Sequence, residues 1–287
     1  GGALAYGFAA ASAEPLSGMG VGPLSTQACC CGTGDPDGCV EQLRHGRVVD
    51  QQQGAAGIAS LAKNKAQRRS QWMNDAVPLL VEAVATGETM ELREHAARAL
   101  ANLPMCEMSN AESIVAAGGV PPLVDLMSAD SYGCRAQAAR AVGNLCVASK
   151  DAARGALQAG VVRPLLAALL TEDPAVHGIN LAVEAALALA NFASADDCCC
   201  DAVLQSPVVV PGLQNLAISE DAQTRAAALR ALTSLALVSG RAKQALEVLR
   251  RDERQLQATS EKMNPENTSE RCKVYGRQGR PVATPMM

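Results

Sequence analysis

The chain has 287 residues, of which 48% are apolar, 19% charged and only 2% aromatic, and its formal net charge is −4. This composition excludes a disordered chain, which needs low hydrophobicity and high charge, and the negative charge argues against a nucleic-acid partner. The chain contains 54 alanines, and these predict closely packed helices because alanine has the highest helix propensity and a small side chain. No run of 18 apolar residues occurs, so we expect no membrane span.

Four regions follow one another along the chain. Residues 1–38 are rich in glycine, alanine, serine and proline, and are predicted to form an irregular N-terminal extension. A degenerate capping repeat is predicted over residues 39–73, and clear repeats over residues 74–250. The polar residues 251–287 are predicted to form a C-terminal tail, and the charged stretch at its start would cap the last repeat.

One template recurs four times within the repeat region. Each copy opens with a proline closely followed by a leucine, and closes with an alanine-rich segment that ends at asparagine or serine. The opening leucines, spaced by 43, 42 and 48 residues, are Leu80, Leu123, Leu165 and Leu213. The closing residues, spaced by 42, 47 and 43, are Asn102, Asn144, Asn191 and Ser234. Two independent markers that keep a period in the low forties indicate a tandem repeat.

Each copy is predicted to contain helices only, because no interval alternates apolar and polar residues with period two. A glycine at 118–119 or at 160 is expected to end a short helix, and the proline that follows tolerates the first turn of the next helix. A longer alanine- and leucine-rich helix then runs to the closing residue. The extra length of the third copy is expected in a loop over residues 171–178. Ser60, 42 residues before Asn102, would close a degenerate earlier copy.

These residues resemble the armadillo repeat. The resemblance rests on the Gly-Val-Pro-x-Leu-Val opening at 119–124 and the Ala-x-x-Ala-Leu-x-Asn-Leu close at 96–103, and it covers about residues 74–246. It implies an all-α, armadillo-type right-handed α-solenoid, a superhelix of about four repeats with degenerate terminal units. The HEAT repeat is the structural alternative, but the Gly-x-Pro break and the closing asparagine favour the armadillo repeat.

The resemblance also implies that the third helices line a concave groove, in which an asparagine bonds the backbone of an extended partner peptide. Asn102, Asn144 and Asn191 occupy this position, whereas Ser234 departs from the pattern. One carboxamide offers both a donor and an acceptor, which match one peptide group. The alternative is that these side chains end their helices by bonding nearby carbonyls.

An arginine row accompanies the closing residues. Arg98, Arg140 and Arg230 each lie four residues before the marker, which places them on the same helix face, and Leu187 interrupts the row. Tryptophan, which importin-α-like members carry there, is absent. A guanidinium pairs with carboxylates in a bidentate manner, so the row favours acidic or phosphorylated partners, as in β-catenin-like members. The alternative is solvated arginines paired with local acids. The candidate groove residues are Arg98, Asn102, Arg140, Asn144, Asn191, Arg230, Ser234 and His95, which lies seven residues before Asn102.

A second arginine row lies nine residues before the markers, at Arg93, Arg135 and Arg225. At 100° per residue, this row sits about 140° from the first row around the helix. It cannot share the groove face, and we expect it to have a structural role near the helix start or a neighbouring repeat.

Neither a metal nor a cofactor is expected. The three histidines are scattered, and no nucleotide-binding or hydrolase motif occurs. The adjacent Cys198, Cys199 and Cys200 would point about 100° apart on a helix, so they could not all reach one ion. Small buried apolar roles are expected for such cysteines, and the irregular cysteine spacing favours a reducing compartment. The chain is therefore predicted not to be an enzyme.

The predicted function is a non-catalytic protein–protein interaction scaffold that serves as an accessory or structural subunit of a larger assembly. Three alternatives remain: a free adaptor that binds acidic or phosphorylated linear motifs in its groove, an accessory subunit of an organellar membrane complex, and a regulatory fragment of a larger enzyme such as a ubiquitin ligase. Protein partners are expected, with acidic segments favoured and no nucleic acid. The cytoplasm is the expected location, with a plastid or mitochondrion as the alternative.

Overall fold

The computed structural model describes residues 35–105, 107–171 and 180–237 and, in part, residues 243–254. Between residues 35 and 237 the described chain forms thirteen α-helices and one 3₁₀ helix over Gln67–Arg69. The residues described within 243–254 are also helical, and none of the described residues lies in a strand. The helices are α1 Pro36–His45, α2 Val48–Leu61, α3 Trp72–Thr86, α4 Met90–Asn102, α5 Met108–Ala116, α6 Val120–Leu126, α7 Tyr132–Ala148, α8 Lys150–Gln158, α9 Val162–Leu169, α10 Leu181–Ala195, α11 Asp197–Leu204, α12 Val209–Ala217 and α13 Ala222–Ala236. None of these described helices combines the length and the apolar character needed to cross a bilayer.

Five of the helices, α2, α4, α7, α10 and α13, contact one another in series. We call this row the third-helix ladder, because each member is the last helix of a repeat. The repeats that end at α7, α10 and α13 each place two shorter helices before the long one. The all-α solenoid predicted from the spacing of the markers is therefore confirmed. The predicted loop beyond Thr171, most of the N-terminal extension and the end of the C-terminal tail lie outside the described residues.

Glycine forms two of the three corners between the first and second helices of a repeat, at α5–α6 and α8–α9. Gly118 has φ +73° and Gly160 has φ +75°, in the left-handed region that glycine enters at no steric cost. The next residue then donates its N–H back into the helix, as from Gly119 to the Ile114 carbonyl at 2.9 Å and from Val161 to Ala156 at 3.0 Å. Both glycines thus end short helices as predicted.

The repeat that ends at α4 differs from the prediction. Its Pro78 was expected in the first turn of a helix, but it lies inside α3, which begins six residues earlier at Trp72. Proline has no N–H, so the Asn74 carbonyl one turn back lacks its helical donor. Asn74 is exposed, so water can satisfy that carbonyl. The first two helices of this repeat are therefore merged into one. At the N-terminus, α1 begins at Pro36, three residues before the predicted start of the capping repeat.

The core between ladder helices is built from alanine. Ala96, Ala139 and Ala186 have no exposed surface, and the largest side chain in this core, Phe192, is also fully buried. The helices approach closely at Gly143 of α7, where a Cβ atom would lie 2.8 Å from the Cα of Ala188 on α10. Small side chains at these positions allow the long helices to stack directly against each other, which explains the alanine excess.

The arginines of the second row make contacts within the fold, and two of them donate hydrogen bonds at the connection between the second and third helices of a repeat. Arg93 donates to the carbonyls of Val84 at 2.9 Å and Ala85 at 2.6 Å, at the end of α3. Arg225 donates in the same way to the carbonyl of Ser219 at 2.8 Å, just after α12. The guanidinium of Arg135 lies 5.8 Å from the ring centre of Tyr132. These contacts confirm the structural role predicted for this row.

Candidate functional site

The closing asparagines join consecutive repeats to each other. Their Nδ2 groups donate to backbone carbonyls of the preceding ladder helix, 43, 43 and 48 residues earlier in the chain. The three bonds run from Asn102 to Ala59 at 2.9 Å, from Asn144 to Ala101 at 2.8 Å and from Asn191 to Gly143 at 3.3 Å. In each bond the acceptor immediately precedes the marker residue of the earlier repeat. The asparagines thus form a regular set of inter-repeat hydrogen bonds.

The first two bonds satisfy carbonyls that the helix ends leave open. The last four carbonyls of an α-helix have no helical donor. At the end of α2, the carbonyls of Ile58 and Ser60 accept backbone N–H groups from the following turn, whereas Ala59 accepts the amide of Asn102. Ala101 occupies the equivalent place near the end of α4. Gly143 lies inside α7, which accounts for the longer third bond.

The last rung of the ladder uses a different contact, because Ser234 replaces the asparagine. Arg230 of α13 donates through Nη2 to the Oδ1 of Asn191 on α10 at 2.9 Å. Asn191 therefore donates toward α7 and accepts from α13, and uses both ends of its carboxamide within the ladder. Arg230 itself is exposed, so its remaining N–H groups face solvent.

A concave pocket of about 680 Å³ opens over α7, α10 and α13, and we call it the groove pocket. Four of the eight predicted groove residues line it together, namely Arg140, Asn144, Asn191 and Arg230. The remaining lining residues are Pro104, Met105, Glu107, Met108, Gly143, Val147, Ala148, Glu184, Leu187 and Ala188. The pocket therefore combines two guanidinium groups and two carboxamides with an apolar wall.

The charges of the groove pocket do not simply cancel. Glu107 is paired with Arg69 of the preceding repeat, with Nε and Oε1 2.7 Å apart, so its charge is offset outside the pocket. Glu184 has its pKa raised by desolvation on burial, an effect that the charge of Arg140 opposes. The two guanidinium groups of Arg140 and Arg230 outnumber the one remaining carboxyl group, that of Glu184, and they therefore dominate the potential of the pocket.

Arg98, His95, Asn102 and Ser234 do not line the groove pocket. Asn102 is only 2% exposed, so its contact with a partner peptide would require the inter-repeat bond to open. The Nε of Arg98 and the Nδ1 of His95 are buried without a hydrogen-bond partner. Burial and the neighbouring Arg98 lower the pKa of His95, so its ring is neutral at physiological pH. The peptide contacts proposed for these residues stay predictions.

The described cysteines are mostly buried, as expected for small apolar residues. Cys199 and Cys200 pack into the core from α11, whereas Cys198 is exposed. Desolvation raises the pKa of Cys146 to about 12 and that of Cys199 to about 11. In the part of the chain that the structure describes, no three histidine, cysteine or acidic side chains come together as a metal site would need.

Sequence reasoning missed two groups of lining residues. Met105 and Met108 lie in or next to the connection after α4, where no repeat marker points to a groove position. Glu184 could have been found, because it lies seven residues before Asn191, the offset by which His95 precedes Asn102. Met105 and Met108 contribute to the apolar wall of the groove pocket, and Glu184 supplies its half-buried carboxyl group.

Comparison with known proteins identifies the repeat. Residues 109–147, which contain α6 and all but one terminal residue of α5 and of α7, match the armadillo/beta-catenin-like repeat. No curated protein matches the sequence.

Solved structures share the fold over most of the chain. A crystal structure of an engineered protein is 27% identical, with a TM-score of 0.65, and the match covers 76% of this chain and 97% of the other. A designed armadillo repeat protein in complex with the peptide (KR)4 is 21% identical, with a TM-score of 0.64, over 75% of this chain and 87% of the other. The armadillo-repeats-only protein of Plasmodium falciparum is 19% identical, with a TM-score of 0.53, over 65% of this chain and 80% of the other.

Proposed function

We propose that this armadillo-repeat chain is a non-catalytic protein-interaction scaffold, which captures a segment of a partner protein in its groove pocket. The observation that carries the proposal is that Arg140, Asn144, Asn191 and Arg230, from three consecutive repeats, line one concavity of about 680 Å³. A cleft of this size with an apolar wall and a few convergent polar groups is typical of a binding site. Inter-repeat hydrogen bonds from Asn144 and Asn191 join the long helices around it.

Two structural relatives support a peptide-binding role for the fold. One designed armadillo repeat protein was solved with the peptide (KR)4, and others were computationally designed for modular peptide recognition. In the present chain, arginines rather than acidic residues dominate the groove pocket, so we expect the opposite charge preference. Acidic or phosphorylated segments, which a guanidinium pairs in a bidentate manner, are the proposed partners.

Affinity enrichment from cell extract, quantified by mass spectrometry, tests this proposal. The Arg140→Glu, Arg230→Glu double variant should lose the proteins that the parent chain retains. Arg163→Glu is the matched control, because Arg163 is an exposed arginine on α9, outside the groove pocket. Identical enrichment by the parent chain and the double variant would refute capture in the groove pocket.

An accessory-subunit role is the second candidate, and exposed apolar side chains in the last repeat favour it. Ile218, just after α12, is 72% exposed, and Leu237, just after α13, is 84% exposed. Exposed apolar surface at the end of a repeat array is a common site of docking to another protein. An Ile218→Ser, Leu237→Ser variant should dissociate from the native assembly and keep its groove-dependent partners. An unchanged native mass of the assembly would contradict this role.

A further inference from the structure

The interruption of the arginine row at Leu187 has a structural counterpart in the groove pocket. On α7 and α13 the row presents Arg140 and Arg230. On the intervening helix α10, the pocket is lined instead by Leu187 and by the half-buried Glu184. The pocket therefore presents a positive charge on α7, an apolar side chain with an acidic group on α10, and a second positive charge on α13.

The apolar wall of the pocket is open to a partner. Val147, Met108 and Met105 are 66%, 65% and 43% exposed, and all three line the same pocket as Leu187. Large apolar side chains left exposed around one concavity mark a place where a partner buries apolar surface. Methionine suits such a place because its flexible side chain adapts to different shapes.

The charged groups of the pocket determine which partner side chains can bind on either side of Leu187. Arg230 is oriented by its bond to the Oδ1 of Asn191 at 2.9 Å, so one guanidinium is held in position before a partner binds. The carboxylate of Glu107 is engaged with Arg69 and does not compete for Arg140 or Arg230. Glu184, in contrast, lies in the pocket wall, and it would repel a carboxylate placed against α10.

We propose that the groove pocket binds an extended partner segment in which two acidic side chains flank one uncharged, apolar side chain. This proposal rests on the proposed function, the capture of a partner segment in the groove pocket. The acidic groups pair with Arg140 and Arg230, and the apolar side chain packs on Leu187 between them. A segment with an acid at the central position is rejected by Glu184. The pocket thus reads an acidic–apolar–acidic pattern rather than overall negative charge.

Fluorescence anisotropy with synthetic peptides and the full chain tests this pattern. The probes are fluorescein-labelled nonapeptides on a Gly/Ser background, with one to three spacer residues between three variable positions. These positions carry Glu-Leu-Glu, Glu-Glu-Glu or Lys-Leu-Lys. We expect the parent chain to prefer the best Glu-Leu-Glu peptide over its Glu-Glu-Glu counterpart by about tenfold, the loss typical of an unfavourable charge in a partly buried site.

Variants of the chain test which residues produce the preference for the Glu-Leu-Glu peptide. Glu184→Gln should bring the Glu-Glu-Glu peptide to within about threefold of Glu-Leu-Glu, because the repulsion is then absent. The Arg140→Gln, Arg230→Gln variant should weaken Glu-Leu-Glu binding at least about tenfold. Circular dichroism confirms that each variant is folded.

The outcomes separate the two proposals. If Glu-Glu-Glu binds as well as Glu-Leu-Glu, and binding still depends on Arg140 and Arg230, the pattern is wrong and groove capture stands. An unchanged ratio in Glu184→Gln also overturns the pattern. If no peptide binds in a manner that depends on the two arginines, both the pattern and capture in the groove pocket are wrong.

Discussion

Removal of one inter-repeat amide tests whether the asparagines hold the solenoid together. In Asn102→Ala the Nδ2 donor to the Ala59 carbonyl is lost. Both residues are buried, Asn102 at 2% exposed and Ala59 at 0%, so water cannot easily replace the donor. The variant therefore leaves a carbonyl at the end of α2 without a partner.

The magnitude follows from that unsatisfied acceptor. A buried polar group left without a hydrogen bond costs about 1–3 kcal/mol. We expect the free energy of unfolding to fall by about 2 kcal/mol, and for a folded region of about 200 residues this corresponds to a Tm lower by roughly 4–8 °C. Asn191→Ala should cost less, because its bond is 3.3 Å long and its acceptor, Gly143, lies inside a helix.

Urea unfolding followed by circular dichroism measures the difference. Asn74→Ala is the matched control, because Asn74 is an exposed asparagine on α3, and its loss should change stability by less than about 0.5 kcal/mol. If Asn102→Ala were as stable as Asn74→Ala, the inter-repeat amides would contribute nothing, and the carbonyls at the helix ends would not need them.

Three further predictions concern packing, charge and thiols. Gly143→Ala should destabilise the fold by about 1–3 kcal/mol, because its Cβ would clash with the backbone of α10. Gly155→Ala on α8, where the nearest atom is 3.7 Å away, should instead stabilise the fold by roughly 0.5–1 kcal/mol. Urea unfolding of both variants measures the two changes. Burial raises the folded pKa of Glu184 above its ordinary value of 4.5, so the ionised form costs stability at neutral pH, and stability is regained as pH falls through the folded pKa. Glu184→Gln should therefore be more stable than the parent at pH 7 and lose that advantage near pH 4, and an advantage that persists at pH 4 would contradict the assignment. Because burial raises the pKa of Cys146 to about 12, iodoacetamide at pH 8 should alkylate the exposed Cys198 long before Cys146. Peptide mass spectrometry measures both alkylation rates, and equal rates would contradict the burial of Cys146.

The repeat architecture could be predicted because two independent markers kept the same period. Leucine openings and asparagine closes both recur at one place in each unit, so the ladder of long helices followed from the sequence. Gly118 and Gly160 were equally informative, because only glycine adopts their left-handed conformation at no cost. The merged helix α3 was not predicted, because a proline in a helix interior is normally disfavoured and tertiary packing overrides that preference.

The groove pocket was only partly predictable. Arg140 and Asn144 were found from their offsets along one helix, and the structure places both in the pocket. The hydrogen-bond acceptor of an asparagine side chain cannot be predicted from such an offset, because the acceptor belongs to the neighbouring repeat. Met105 comes from the irregular connection after α4, and Met108 is the first residue of α5. No periodic signal marks either as a groove position, so their place in the pocket follows only from how consecutive repeats stack.

The most direct test of the central claim is site-specific photo-crosslinking in cells from inside and outside the groove pocket. A benzoylphenylalanine at position 147, where Val147 is 66% exposed in the pocket wall, is compared with one at position 163 on the exposed surface of α9. Capture in the groove predicts that position 147 yields a discrete protein adduct, that the Arg140→Glu, Arg230→Glu changes abolish it, and that position 163 does not yield it. An adduct at position 163 but not at position 147, or one at position 147 that persists after both charge reversals, would contradict the account.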